Sequence, residues 1–335
     1  MIALRRFACL GLAALALAGP AVQQAQGAQK KNTKSAAAVK AEKPDEERHQ
    51  FGVIGHSFHG AGSGEGRLKQ ALDDESEAAL AFVVVTGIKS AEEPCSDRLY
   101  AKRRELLDDA KRPVIMLPSS SDWSECKNAA GRSAAPERLN RLRELFYAEP
   151  ESLGAHKFKL TRQSSNPKFR SYAENVHWQV GEVLYATINL PANNNHYRPE
   201  AGRNSEFEDR LVANRFWLNR LFAMAKREKK QALVLFSEGD VKALTQRTGF
   251  SALLERATTR TDGFDEPRRQ IAALAAKYPG KVLLIDTDKA APDKVPTIEW
   301  RGNLGHLSVG AQAVEVTVAP STPKMFSLQS AADEK

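Results

Sequence analysis

The sequence predicts an α/β fold, because short apolar runs alternate with helical stretches in its first half. Apolar runs at Phe51–Gly55, Ala81–Gly87 and Pro113–Pro118 are rich in β-branched residues, which is typical of strands buried on both faces. Helical stretches at Arg67–Leu80 and Arg98–Lys111 separate these runs. Strands that alternate with helices indicate βαβ units and a sheet with parallel strands.

The second half of the chain continues this alternation and adds a hairpin. An amphipathic helix is predicted over Pro136–Phe146, because its leucines recur on one face. Two adjacent strands, Ala173–Trp178 and Val183–Leu190, are predicted to turn at Gly181. The remaining predicted elements are helices over Phe207–Lys230 and Glu266–Tyr278, and strands over Ala232–Phe236, Val282–Ile285 and within Thr297–Leu328. No repeat or boundary interrupts the pattern, so we expect one domain over 50–330.

The N-terminus has the order of a secretory signal peptide. Arg5 and Arg6 precede an apolar run, Phe7–Ala18, which is followed by small residues up to Gly27. We therefore expect 1–27 to be a signal peptide and the protein to be exported, periplasmic or secreted. The apolar run is short for a membrane span, so no stable membrane insertion is expected after cleavage, although an uncleaved anchor is the alternative.

Polar segments flank the predicted domain. The stretch 28–49 is rich in Lys, Ala and Glu, without aromatic residues or a hydrophobic period. Such composition cannot bury enough apolar surface to fold, so we expect a disordered tether. The last residues, 331–335, are expected to be a tail.

Cysteine usage agrees with export. Cys9 lies in the predicted signal peptide, which leaves Cys95 and Cys126 in the mature chain. A pair of cysteines in an oxidising compartment suggests a disulfide, and two unpaired thiols are the alternative.

Charge gives little support for nucleic-acid binding. The formal net charge of +8 falls by two to +6 when Arg5 and Arg6 leave with the signal peptide. The densest basic run, Lys226–Lys230, lies where a helix should end, and cations stabilise that end of a helix. We therefore expect no nucleic-acid partner.

Seven segments together resemble a known enzyme family. They are Phe51–Gly55, Phe82–Gly87, Asp122–Cys126, Arg138–Phe146, Ser152–Gly154, Glu174–Trp178 and Asn189–Asn194. Their order and spacing resemble the secreted branch of the calcineurin-like metallophosphoesterases over nearly all of the predicted domain. The resemblance implies a metallophosphoesterase-like sandwich of two mixed β-sheets flanked by helices, and it implies that Cys95 and Cys126 are bonded.

The residues that hold the metals in that family are missing here. Enzymes of the family use two cations to clamp the phosphate and to supply a metal-bound hydroxide. The first two strands of the family end in Gly-Asp, but here Gly55 precedes His56 and Gly87 precedes Ile88. Ser121 stands where the family has a metal-binding asparagine.

The final family motif carries histidines, and this chain has Asp286-Thr287-Asp288 at that place. The resemblance therefore implies a vestigial cleft without catalytic residues, metal ligands or cofactors. Its expected residues are His56, Ser57, Phe58, His59, Gly87, Ile88, Ser120, Ser121, Asp122, Asn194, Asp286 and Asp288.

Two functions remain open at this point. The first is an exported pseudoenzyme that binds an unknown protein or small-molecule ligand. The second is an active phosphoesterase, a hydrolase with a divalent metal held in a rebuilt site by His56 and His59, since imidazole is a ligand of zinc and copper. His306 and His196 are isolated in the sequence and are expected to be surface or hydrogen-bonded residues.

Limited proteolysis tests the predicted tether. The first cuts should fall within 28–49, because a protease needs an unfolded segment and this stretch has too few apolar residues to fold. Mass spectrometry of the early fragments measures the cut sites. Early cleavage inside 50–330 with 28–49 left intact would contradict the assignment.

Overall fold

The computed structural model describes residues 47–58, 64–77, 80–199, 204–245, 262–288 and 295–328. The predicted signal peptide, most of the predicted tether, the predicted tail and His59 lie outside these residues. No helix in the described ranges is long and apolar enough to cross a membrane.

Twelve strands and five helices form within the described residues. The strands are β1 (His49–Gly55), β2 (Leu80–Thr86), β3 (Val114–Leu117), β4 (Thr161–Arg162), β5 (Val176–Val180), β6 (Val183–Thr187), β7 (Ala232–Ser237), β8 (Lys281–Asp286), β9 (Glu299–Arg301), β10 (Leu304–Ser308), β11 (Ala313–Val318) and β12 (Phe326–Leu328). The helices are α1 (Gly64–Glu77), α2 (Asp97–Asp108), α3 (Ala135–Phe146), α4 (Ser205–Arg227) and α5 (Asp265–Ala275).

The strands form two mixed sheets, which confirms the predicted α/β sandwich. The first sheet has five strands in the order β12-β11-β1-β2-β3, and the second has seven in the order β4-β5-β6-β7-β8-β10-β9. β1, β2 and β3 are parallel, whereas β11 is antiparallel to β1. In the second sheet β6, β7, β8 and β10 are parallel to one another. β5 is antiparallel to both β4 and β6, and the edge strand β9 is antiparallel to β10.

Aromatic side chains fill the space between the sheets. Phe82 of the first sheet lies 4.9 Å from Tyr185 and 5.1 Å from Trp178 of the second, measured between ring centroids. Phe51 stacks on Phe82 at 5.2 Å. All four rings are buried. Each buried aromatic contributes a large hydrophobic stabilisation, and edge-to-face contacts add to it.

Helices cover both outer faces of the sandwich. The first sheet packs against α1, α2 and α3 through Leu68, Tyr100 and Leu142, among other residues. The second sheet packs against α4 and α5 through residues that include Trp217 and Ile271. The periodic apolar residues read from the sequence are therefore the faces that these helices bury.

β1 and β5 are two of the strands that begin at other residues than the sequence predicted. β1 begins at His49, the last residue of the predicted tether, because His49 pairs with Val318 and its Nε2 lies 2.6 Å from the hydroxyl of Tyr185. β5 begins at Val176 rather than Ala173. Asn175 precedes that strand; its carbonyl accepts the backbone N–H of Gln163 at 2.8 Å, and its Nδ2 donates to the Gln163 and Asn214 side chains.

A disulfide joins Cys95 to Cys126, with 6.0 Å between the Cα atoms. It connects the segment before α2 to the loop after β3. The predicted pairing is therefore confirmed. Cys126 is buried, and its Sγ lies 3.7 Å from the buried hydroxyl of Tyr100.

The double change Cys95→Ser and Cys126→Ser should lower the free energy of unfolding by about 3–4 kcal/mol, because the open chain regains the entropy that the cross-link removes from the unfolded state. Denaturant unfolding of the variant and of the wild type measures the difference. Reduced wild-type protein is the matched control and should resemble the variant. Two thiols that react with a labelling reagent in unreduced, folded protein would contradict the pairing.

Candidate functional site

The ends of parallel strands from both sheets meet at one edge of the sandwich. We call this place the cleft, and its walls are His56 after β1, Gly87 after β2, Ser119–Ser121 after β3, Glu238 after β7 and Thr287 after β8. His56 Nε2 lies 3.8 Å from Glu238 Oε1 and 3.4 Å from Thr287 Oγ1, so the two sheets contact each other here. Ligand sites of α/β proteins commonly form where parallel strands end.

Gly87 allows the ends of β1, β2 and β3 to approach closely. Its φ is +79°, and an added Cβ would lie 3.1 Å from Ser119 Oγ and 3.3 Å from His56 Nδ1. Both the backbone conformation and the space favour glycine. His56 also has a positive φ of 44°, which is uncommon for a residue other than glycine. Its backbone N–H donates to the Thr86 carbonyl at 2.9 Å.

Asp122 joins the loops that follow β2 and β3. Its side chain is fully buried. Oδ1 accepts the backbone N–H of Ile88 at 3.0 Å, and Oδ2 accepts that of Ser119 at 2.8 Å. Burial raises the pKa of Asp122 to about 6, although the hydrogen bonds from Ser119 and Ile88 oppose that rise. Both carboxylate oxygens are thus used to hold backbone amides.

Glu238 also accepts backbone N–H groups, and it joins loops of the two sheets. Its Oε2 accepts the backbone N–H groups of Ser120 at 2.6 Å and Ala192 at 2.8 Å, and its Oε1 accepts the Ser120 hydroxyl at 2.9 Å. Burial raises the pKa of Glu238 to about 8, and the nearby charge of Asp122 acts in the same direction. Glu238 is therefore largely protonated at neutral pH.

The serine hydroxyls after β3 are also hydrogen-bonded. Ser121 Oγ donates to the Lys89 carbonyl at 3.0 Å and lies 2.9 Å from Ser119 Oγ. Lys89 Nζ donates to the Ser121 carbonyl at 2.8 Å. Burial lowers the pKa of Lys89. Ser121 and Lys89 therefore hold the loop after β3 to the loop after β2.

Two of the expected cleft residues lie in the layer between the first sheet and its helices. Phe58 and Ile88 are buried in that layer, and the guanidinium of Arg103 lies 4.1 Å from the centroid of the Phe58 ring. Arg103 Nε also donates to the Ile88 carbonyl at 2.9 Å. The Ser57 carbonyl accepts a hydrogen bond from Arg67 Nε at 2.8 Å.

Asn194 contacts the segment that precedes α5. Its Oδ1 accepts the backbone N–H of Gly263 at 2.9 Å, next to the start of α5. The neighbouring Asn193 reaches the loop after β3 instead, because its Nδ2 donates to Ser124 Oγ at 2.9 Å.

Asp286 and Asp288 belong to a second polar cluster, on the α5 side of the second sheet. Asp286 Oδ2 lies 2.5 Å from His306 Nε2, and Asp240 Oδ1 lies 3.5 Å from the same nitrogen. Asp288 Oδ2 accepts the backbone N–H of Asp240 at 3.3 Å. Of the three residues after Ile285, Thr287 contacts the cleft residue His56.

The pKa values of His306 and Asp286 in this second cluster are both raised. Burial opposes a charged imidazole, but the hydrogen bond and negative charge of Asp286 outweigh it and raise the pKa of His306. Burial also raises the pKa of Asp286, against the contacts with His306 and Ser308. His306, which appears isolated in the sequence, is therefore paired with two carboxyl groups.

Glu238, Asp240 and Thr287 are polar residues of these two places that the sequence did not single out. The available signal was their position, because Glu238 and Asp240 follow the buried strand β7 and Thr287 follows β8. Polar residues directly after parallel strands are the ones that meet at a common edge. The partnership of His306 with Asp286 had no such signal, since it depends on the pairing of β8 with β10.

Comparisons with known proteins do not identify a family for the chain. No protein-family model matches the chain, and no curated protein matches it. Among the solved structures that the chain resembles is "GAP50 the anchor in the inner membrane complex of Plasmodium", with a TM-score of 0.41 and 12% identity over 84% of this chain and 88% of that chain. A TM-score of this size supports no inference, so the family resemblance remains a prediction.

Glu238→Gln should remove a pH dependence of stability. The unfolded carboxyl releases its proton near the ordinary value of 4.5 and the folded one near 8, so raising the pH through this window favours the unfolded wild type. The wild type should lose on the order of 3 kcal/mol more than the variant between pH 5 and 8. Gln retains an acceptor for the two backbone amides and has no proton to lose.

Denaturant unfolding at several pH values measures this difference. Glu137→Gln is the control, because the Glu137 side chain is 70% exposed and its change should leave the pH profile unaltered. A Glu238→Gln profile as steep as that of the wild type would show that Glu238 is not the titrating group.

Proposed function

We propose that this protein is an exported, non-catalytic relative of the metallophosphoesterases, which acts by binding a ligand or a protein partner. Export is supported by the signal-like N-terminus and agrees with the disulfide between Cys95 and Cys126. The relationship rests on the order of the seven segments in the sequence.

One observation carries the non-catalytic part of this proposal: the buried acids of the cleft are occupied by backbone amides. Asp122 accepts hydrogen bonds from two backbone N–H groups, and Glu238 accepts two more and a hydroxyl. Turning either carboxylate towards a cation would leave buried amides without acceptors, which costs about 1–3 kcal/mol for each group. Glu238 would also have to release its proton.

Loss of the metals would remove the chemistry of the resembled family. Without them there is no activated hydroxide and no clamp on the phosphate oxygens. The apolar Ile88 is buried among core residues and offers no ligand atom. Changing a single residue would therefore not restore activity.

The second candidate, a phosphoesterase with a rebuilt site, draws on the contact of His56 with Glu238 and Thr287. An imidazole, a carboxyl and a hydroxyl could contact a polar ligand, and His56 retains 19% exposure of its side chain. His59, the other residue of that hypothesis, lies outside the described residues.

A hydrolysis assay separates the two candidates. The purified chain should leave an aryl phosphate ester uncleaved when manganese, iron or zinc is added, because its cleft offers no pair of metal sites. Release of the phenolate is measured by absorbance. The variants His56→Ala and His59→Ala should equal the wild type, as should His156→Ala, which changes an exposed histidine.

Metal-dependent turnover that disappears in His56→Ala and His59→Ala but persists in His156→Ala would overturn the non-catalytic proposal. That result would establish a rebuilt site at the end of β1.

A further inference from the structure

We propose that Asp240, Asp286 and His306 bind one divalent transition-metal ion of the zinc class, on the α5 side of the second sheet. This site is separate from the cleft and does not depend on the proposed function.

Three elements bring the ligand atoms together. Asp286 ends β8, His306 lies on the adjacent parallel strand β10, and Asp240 follows β7 on the other side of β8. One oxygen from each carboxylate and a nitrogen of the imidazole all lie within 4.8 Å of one another. Two of the ligands stand on adjacent strands, which give them a rigid support, and the third stands in the loop directly after the neighbouring strand β7.

Second-layer hydrogen bonds orient the carboxylates. Asp286 Oδ1 accepts the Ser308 hydroxyl at 2.9 Å and the backbone N–H of Asp288 at 3.0 Å, which directs Oδ2 to His306. Asp240 Oδ1 accepts the backbone N–H of Lys242 at 2.6 Å. Contacts of this kind fix the geometry of metal ligands and raise the affinity of the site.

The two carboxylates of the cluster also favour a bound cation. Asp286 is buried and Asp240 is 24% exposed in its side chain. Within the described ranges, His306 is the only basic side chain that forms an ion pair with either carboxylate. Two carboxylates held this close repel each other, and a divalent ion would neutralise both while His306 bound it in the neutral form.

A small cavity lies beside the cluster. Its volume is about 10 Å³, and it is lined by Asp240, Asp286 and His306 together with apolar residues, among them Leu284 of β8 and Ile271 of α5. This is close to the smallest volume that can hold one water molecule. The apolar lining would exclude bulk water and strengthen the interaction of the ion with the carboxylates.

The ligand set selects the class of metal. One imidazole nitrogen and two carboxylate oxygens suit zinc, whereas magnesium and calcium prefer oxygen ligands alone. Three protein ligands would leave a position for water in a tetrahedral site.

Isothermal titration of the chelator-treated, purified chain with zinc chloride tests the site. The wild type should bind one equivalent, and His306→Ala should bind it at least about a hundredfold more weakly. Asp240→Asn removes a charged ligand with little change in shape, so it should also weaken binding. Zinc should raise the melting temperature of the wild type more than that of either variant.

Two controls locate the ion and check the fold. His156→Ala, at an exposed position, and His56→Ala, in the cleft, should bind zinc as the wild type does. Circular dichroism in the absence of zinc checks that each variant is folded. Cobalt, used in place of zinc, should give a visible absorption band that changes in Asp240→Asn.

Three results would overturn the proposal. They are substoichiometric zinc in the wild type, equal affinity in the wild type and in folded Asp240→Asn and His306→Ala, or loss of binding in His56→Ala. Zinc that binds here without hydrolysis of the phosphate ester would leave the proposed function unaffected, whereas hydrolysis would contradict that function alone.

Discussion

The buried carboxyl group of Glu238 links the two sheets where their parallel strands end. Backbone amides that follow a strand have no partner in the sheet and must be satisfied elsewhere. Glu238 accepts the amides of Ser120 and Ala192, one from each sheet's loops, and Asp122 accepts two more within the first sheet. Four amides of the loops that form the cleft are thereby satisfied by side chains. The cost is the burial of two acids, which appears as their raised pKa values.

The same contacts hold the strand-end loops together in this structure. Buried carboxyl groups accept hydrogen bonds from the loops after β2, β3 and β6, and the disulfide between Cys95 and Cys126 adds a covalent link near Asp122. The second cluster, around Asp286, faces away from the cleft, so the two faces of the second sheet can carry different functions.

Much of the fold could be predicted from the sequence, because continuous apolar runs such as Ala81–Gly87 and Val282–Ile285 have few alternatives to a buried strand. The sequence could not predict on which side of the sheet each residue after a strand lies. Asp286 and Thr287 are adjacent, yet they lie on opposite sides of the sheet, and which one enters the cleft depends on the alternation within β8. The partnership of Asp286 with His306 depends on a strand pairing that leaves no local pattern.

The position of β1 has a consequence for the order of folding. β1 lies between β2 and β11, and it pairs at His49↔Val318, so one side of the first sheet is completed by the far end of the chain. Contacts between residues so distant in sequence form slowly, since a long loop must close first. Until β11 arrives, one edge of β1 is open to pairing with other chains. The protein therefore needs the whole of its domain before the first sheet is closed, and chains cut short before β11 should aggregate rather than fold.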